Sequence, residues 1–178
     1  TNAYEEKEFL TSTDERFRPV MAATGPDGAL YIVDLYRGML QHPGFLTHYL
    51  IANIKARKLE TPINQGRIWR IVRDDQAAPK TTKIPTDAAA RVKLLTHPNG
   101  WVRDTAQQLL VERRDPTTVA PLMALVADAQ RSPTTRLQAL WTLDGMGQLD
   151  VATVQRALAD ADERVAAAAI RLAAPRFG

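Results

Sequence analysis

Apolar positions follow two different periods along the 178-residue chain. Val20 to Thr24 and Ala29 to Tyr36 read as strand-like runs separated by Gly25-Pro26-Asp27-Gly28, where Pro fixes φ and Gly accepts φ > 0. The pattern predicts a β-hairpin. A third run, Gly66 to Val72, alternates Ile68, Arg70 and Val72 with Trp69 and Ile71 and is expected to lie beside it. Between the second and third strands Leu46, Leu50 and Ile54 recur every fourth residue, which predicts a helix from about Gly44 to Leu59. Three strands with one helix leave two sheet edges unpaired, so this half reads as part of a larger sheet assembly.

The period changes to that of helices beyond Asp87. Val102–Leu110, Thr135–Leu143 and Val165–Ala173 align at offsets of 33 and 30 residues, with Ala106, Ala139 and Ala169 in register. Asn99, Ser132 and Asp162 stand three residues before these blocks, each with a side-chain oxygen able to accept from the free N–H groups of a helix start. A further helix is expected before each block: about Asp87 to Thr96, Thr118 to Ala127 and Val151 to Ala159, with Pro121 tolerated in a first turn. Three helical hairpins of this length bury their apolar faces only by stacking, the logic of an α-solenoid. The fold class expected is α+β: a sheet segment over residues 1–73, a polar linker over 74–86 carrying Pro79 and Pro85, and an all-α solenoid over 87–178. Alanine marks the same boundary, with 8 residues up to Asp87 and 19 after it.

Charge and cysteine content exclude several chemistries. The 23 basic and 20 acidic residues leave a net +3 spread evenly over both halves, too weak a field for a nucleic-acid footprint. The absence of cysteine excludes thiolate metal sites, a cysteine nucleophile and a covalently attached haem in this segment. No apolar run has the ~20 residues of a membrane-spanning helix. The chain starts at Thr1 with no signal segment, so it is expected to be processed or a piece of a longer protein.

Two resemblances follow from the motifs. Val102-Arg103-Asp104-Thr105-Ala106 through Leu110, with Asn99 ahead of it, resembles the second helix of a HEAT repeat; the third block departs from that pattern with Ala166 in the place of Arg. Glu15-Arg16-Phe17-Arg18-Pro19-Val20, the Gly25 to Asp34 string, Tyr36-Arg37-Gly38, Gln41-His42 and Gly66-Arg67-Ile68-Trp69-Arg70-Ile71 are together similar to the last part of the β-propeller of bacterial membrane-associated and sorbosone-type quinoprotein dehydrogenases. The resemblance implies a terminal propeller segment followed by HEAT-like repeats, in an extracytoplasmic or periplasmic parent that oxidises a sugar or alcohol with pyrroloquinoline quinone. Its implied partners are the remaining propeller blades or another protein chain, and a cytochrome c domain. Arg16 and Arg18 match an Arg-x-Arg pair that contacts the quinone in related soluble dehydrogenases; guanidinium forks bind carboxylates and quinone oxygens bidentately. No catalytic residue can be named, because a base and further contacts would lie on other blades, so this segment alone is expected to be inactive. The competing reading is a non-catalytic protein-interaction module built on the solenoid.

Each candidate has a plainer alternative. Arg16 and Arg18 are either anion clamps or rim arginines satisfied by Asp14, Glu15 or solvent. Arg37, beside Tyr36 and Gly38 at a strand end, either faces a central funnel as a third cofactor contact or pairs with Asp34. His42 and His48 lack a carboxylate or third imidazole at ligand spacing, so no metal site is expected, and His42 stands as a lone candidate against a structural role. His97 reads as a helix-end residue, and Trp101 and Trp141 as packing residues. Arg103, Arg136, Arg156, Arg164 and Arg171, interleaved with Asp104, Asp160, Asp162 and Glu163, are expected to form a solvated face.

Overall fold

The computed structural model describes residues 5–75 and 80–177. The fold is mixed α/β: a three-stranded antiparallel sheet with one helix inserted before its last strand, then six further helices. Two compact units are present, Thr1–Gly25 with Ala29–Ala78 and Pro26–Gly28 with Pro79–Gly178. Residues 76–79 of the expected linker, including Pro79, lie outside the described residues. Residues 80–86 have no helix or strand, yet they are tied down: Arg91 Nε donates to the Pro85 carbonyl at 2.8 Å, and Thr82 Oγ1 lies 3.3 Å from His97 Nε2.

The sheet is a meander of β1 (Pro19–Thr24), β2 (Leu30–Asp34) and β3 (Arg67–Ile71) in that spatial order. The predicted turn closes it: Gly28 has φ +82°, and the Gly25 N–H donates to the Ala29 carbonyl at 2.9 Å. A register shift between Pro19 and Met21 makes β1 irregular at its start. Because side chains alternate, Leu30, Ile32 and Asp34 share one face with Arg67, Trp69 and Ile71, while Val33 shares the other with Met21 and Ile68. On the first face only Ile32 and Asp34 are buried. Across the second, Met21 is 61% and Ile68 71% exposed, and every residue of β1 is exposed.

The inserted helix is shorter than its apolar spacing predicts. Pro43–Phe45 form a separate 3-10 turn, and α1 (His48–Ala56) starts where Thr47 Oγ1 accepts from the Leu50 N–H at 3.3 Å. It ends before Lys58, whose φ of 55° is left-handed and incompatible with continuing the helix to Leu59. No residue of α1 is fully buried.

The second unit contains α2 (Ala88–Leu94), α3 (Gly100–Arg113), α4 (Val119–Ala127), α5 (Pro133–Gly145), α6 (Val151–Leu158) and α7 (Glu163–Phe177). Asn99, Ser132 and Asp162 accept from the N–H groups of Trp101, Thr135 and Arg164, as their positions predict, and Asp87 and Asp150 cap α2 and α6 in the same way. Within this unit α2 packs on α3, α4 on α5 and α6 on α7; α3, α5 and α7 then pack in series, as do α2, α4 and α6. The result is two layers of helices around one core, in which Ala106, Ala139 and Ala169 are all fully buried with Leu95, Leu122, Leu140, Leu143 and Val165. A methyl group at these three places lets successive helices of one layer approach closely.

The expected solvated arginine face is corrected at Arg136. Its side chain is buried, and its guanidinium holds Asp160 through Nε and Nη2, both at 2.8 Å, while Nη1 donates to the Arg131 carbonyl. The equivalent Arg103 is half-buried and donates to the carbonyls of His97 (2.7 Å) and Pro98 (2.9 Å), closing the turn before its own helix. A planar guanidinium reaching back over a helix start satisfies carbonyls that the turn leaves free, and that demand outweighs exposure to solvent. Arg164 does remain exposed, paired with Asp162.

Candidate functional site

The sheet unit carries one fully buried acid, Asp34, at the end of β2. Alternation along Leu30, Ile32 and Asp34 forces its carboxylate to the inner face, where an unpaired charge would be costly. Four residues satisfy it. Oδ1 accepts from the Arg18 N–H at 2.8 Å and the Tyr36 N–H at 2.9 Å; Oδ2 accepts from Arg67 Nε at 2.9 Å and Trp69 Nε1 at 3.1 Å, with Arg67 Nη2 also 2.8 Å away. Burial alone would raise the carboxyl pKa, but the hydrogen bonds from Arg18, Trp69, Tyr36 and Arg67 outweigh it and hold the pKa at about 2.

Arg67 is the counter-ion, directly opposite Asp34 in the register. Its guanidinium lies 3.7 Å from the centroid of the Tyr36 ring and 4.8 Å from that of Trp69, and Nη1 also meets Asp14 at 3.2 Å. Tyr36 itself has φ 51°, a left-handed turn that a side-chain acceptor two residues earlier stabilises.

The arginines singled out from the sequence flank this corner along the backbone: the Arg18 N–H is bound to Asp34, Arg16 lies two residues earlier and Arg37 follows Tyr36. Arg16 donates through Nη2 to the Lys58 carbonyl at 2.7 Å and through Nε to that of Thr61 at 3.1 Å, pinning the connection between α1 and β3. Beside it Glu15 pairs with Arg57. Arg18 is half-buried and its side chain donates from Nη1 to the Phe17 carbonyl at 2.8 Å; the Leu35 N–H donates to the Arg18 carbonyl at 2.9 Å. Arg37 is half-buried and has no partner among the described residues, Asp34 being taken by Arg67. Gly38 follows with no room for a side chain, since a Cβ there would lie 2.6 Å from the Leu59 carbonyl oxygen. The turn that Arg16 holds is therefore the one against which the Arg37–Gly38 backbone rests.

The histidines stand apart from this arrangement. His42 is exposed; its Nδ1 accepts from the Gly44 N–H at 3.1 Å and its ring meets Phe45 edge-on at 5.9 Å, so it organises the 3-10 turn. His48 opens α1 and is exposed. His97 closes α2, its Nδ1 accepting from the Asn99 N–H at 3.0 Å. Among the described residues no group of three or more His, Asp or Glu side chains gathers as a metal site would require, and no helix is long and apolar enough to cross a membrane. The hub residues Asp34, Arg67 and Trp69 did not stand out as a unit in the sequence; an acid on the inward phase of an otherwise apolar strand was the available signal.

Residues 1–75 match the model of a family described as a domain of unknown function, DUF7133. No curated protein and no solved structure matches the chain.

Proposed function

We propose that the chain is a C-terminal portion of an extracytoplasmic quinone-dependent sugar or alcohol dehydrogenase, with the sheet as the end of its β-propeller and the stacked helix pairs as HEAT-like repeats that dock a domain or partner. The observation that carries this reading is the open sheet. All of β1 is exposed, and Met21 and Ile68 leave an apolar row on one face, the state of strands whose neighbours belong to a larger assembly.

The residues fit the anionic side of the implied cofactor in part. Arg18 and Arg37 have guanidinium donors without carboxylate partners among the described residues, and Arg16 adds positive charge at the same corner. On this reading the quinone, when bound, accepts the two electrons of the alcohol, and this chain supplies charge and orientation through Arg16, Arg18 and Arg37. The test is dye reduction with sugars and alcohols by the full-length protein supplied with pyrroloquinoline quinone. Arg16→Ala combined with Arg18→Ala should abolish quinone-dependent turnover; unchanged turnover removes both from the site.

A second reading, a protein-interaction module, draws on the last helix pair, where Val151, Leu158 and Ile170 are exposed apolar side chains. A full-length gene product lacking further propeller blades would favour it.

A further inference from the structure

We propose that the outer face of α7 is a self-pairing surface, on which a second copy of this chain docks its own α7 antiparallel about a two-fold axis at Ala167. Glu163, Ala167, Ile170, Arg171 and Ala174 recur at helical spacing, so they share one side of α7, and all five are exposed. The core takes the opposite side through Val165, Ala168, Ala169 and Leu172. Ile170 is 61% exposed, whereas Leu140, which holds the matching place in α5, is fully buried in the layer where α7 packs on α5. Among the described residues no helix packs on α7 as α7 packs on α5, and a partner's α7 would continue the layer.

The charges name the occupant. In an antiparallel pair centred on one residue, the position four before it on one helix meets the position four after it on the other. Glu163 and Arg171 stand in those two places about Ala167, so each copy offers an acid to its partner's base and a base to its partner's acid. Within one chain the two are about 12 Å apart along the helix, too far to pair, and neither has an ion pair among the described residues. Arg164, the neighbouring cation, is already held by Asp162. The methyl group of Ala167 at the crossing lets the two backbones approach closely, with one Ile170 to either side. Exposed ion pairs add little affinity but fix register and orientation, so the charges select the partner and Ile170 supplies the burial. The proposal gives a partner to the interaction reading of the last helix pair and rests on that reading only for taking this face as a docking face; it is independent of the dehydrogenase reading.

The test is sedimentation velocity of the 178-residue chain at low salt, in the wild type and in a chain that also carries Met21→Lys and Ile68→Lys, so that association through the sheet does not count. The face is small, and both should show a monomer–dimer equilibrium with a Kd of about 10–100 μM. Ile170→Lys should raise that Kd about tenfold or more, since it sets an unpaired charge in the contact. Glu163→Arg and Arg171→Glu, each of which places like charges opposite one another, should each raise it about fivefold. An equimolar mixture of these two single variants should pair to within about threefold of wild type, because in the mixed dimer every charge again meets its opposite. A wild-type chain still monomeric at about five times the upper value would overturn the pairing, whether or not a variant folds. So would a dimer indifferent to Ile170→Lys, or a mixture that pairs no better than either variant alone. A longer parent that stays monomeric while the 178-residue chain dimerises would give the face to another segment of the same polypeptide and also overturn it. Pairing in a parent without quinone-dependent turnover would sink the enzyme reading and leave the pairing standing.

Discussion

Arg136 in α5 and Asp160, at the turn between α6 and α7, form a two-pronged ion pair buried between successive helix pairs. The Asp160 Oδ1 also accepts from the Asp162 N–H at 2.8 Å, so the pair fixes the turn that caps α7. Hydrogen bonding to Arg136 holds the Asp160 carboxyl below its usual range. Breaking one side of such a pair strands the other charge, which costs more than replacing both. Asp160→Ala should destabilise the chain by about 3 kcal/mol in urea unfolding, and Arg136→Met combined with Asp160→Leu by clearly less than the sum of the single changes.

Asp34 makes the sheet unit sensitive to acid. Its folded-state pKa of about 2 lies below the ordinary carboxylate value of 3.8. A depressed carboxylate stabilises the fold above the unfolded pKa, and that contribution disappears as pH falls from about 4 through 2. It amounts to about 2 kcal/mol. Tryptophan fluorescence of the chain, titrated with acid, should show sheet unfolding between these values, and Asp34→Asn should flatten that part of the profile while lowering stability at pH 7. A variant with the wild-type acid profile would show that other groups control the transition.

The buried alanines set the spacing of the helix layers. Ala106→Leu, Ala139→Leu and Ala169→Leu should each cost about 1–3 kcal/mol, because three extra carbons enter a space already filled. Ala124→Leu and Ala167→Leu, on exposed positions of α4 and α7, should change stability by no more than about 0.5 kcal/mol. Equal effects at buried and exposed positions in thermal unfolding would contradict this packing.

Local features were legible in the sequence because their causes are local. The Gly25–Gly28 turn, the alternation of β3 and the Asn99, Ser132 and Asp162 caps each need only neighbouring residues, and the 33- and 30-residue offsets placed the three alanines in the core. Helix α1 is shorter than its spacing because the Thr47 cap starts it late and the left-handed Lys58 stops it early. The corner around Asp34 was not legible: its donors come from residues 16, 2, 33 and 35 positions away, and Arg16 reaches carbonyls more than 40 residues on. Nothing in a run of residues announces a backbone oxygen as a partner. Arg136 was misread for the same reason, since its acid lies in the next helix pair.

The open sheet gives a last, direct prediction. Met21, Val33 and Ile68 are neighbours across the three strands on one face, and all are exposed, beside an edge strand that carries no charged residue. Lys at such positions blocks edge-to-edge and face-to-face association, and it removes few contacts where the original side chain touches little. Ile68→Lys and Met21→Lys should therefore raise the concentration at which the 178-residue chain begins to scatter light, with Tm unchanged within about 2 °C. On the proposed reading of the sheet as the end of a propeller, the same substitutions in the longer parent protein should lower Tm by about 5 °C or more, because the apolar row would be covered there and a buried lysine would be unpaired. An identical response in both proteins would mean that this face stays open to water in the parent, and the larger sheet assembly would lose its main support.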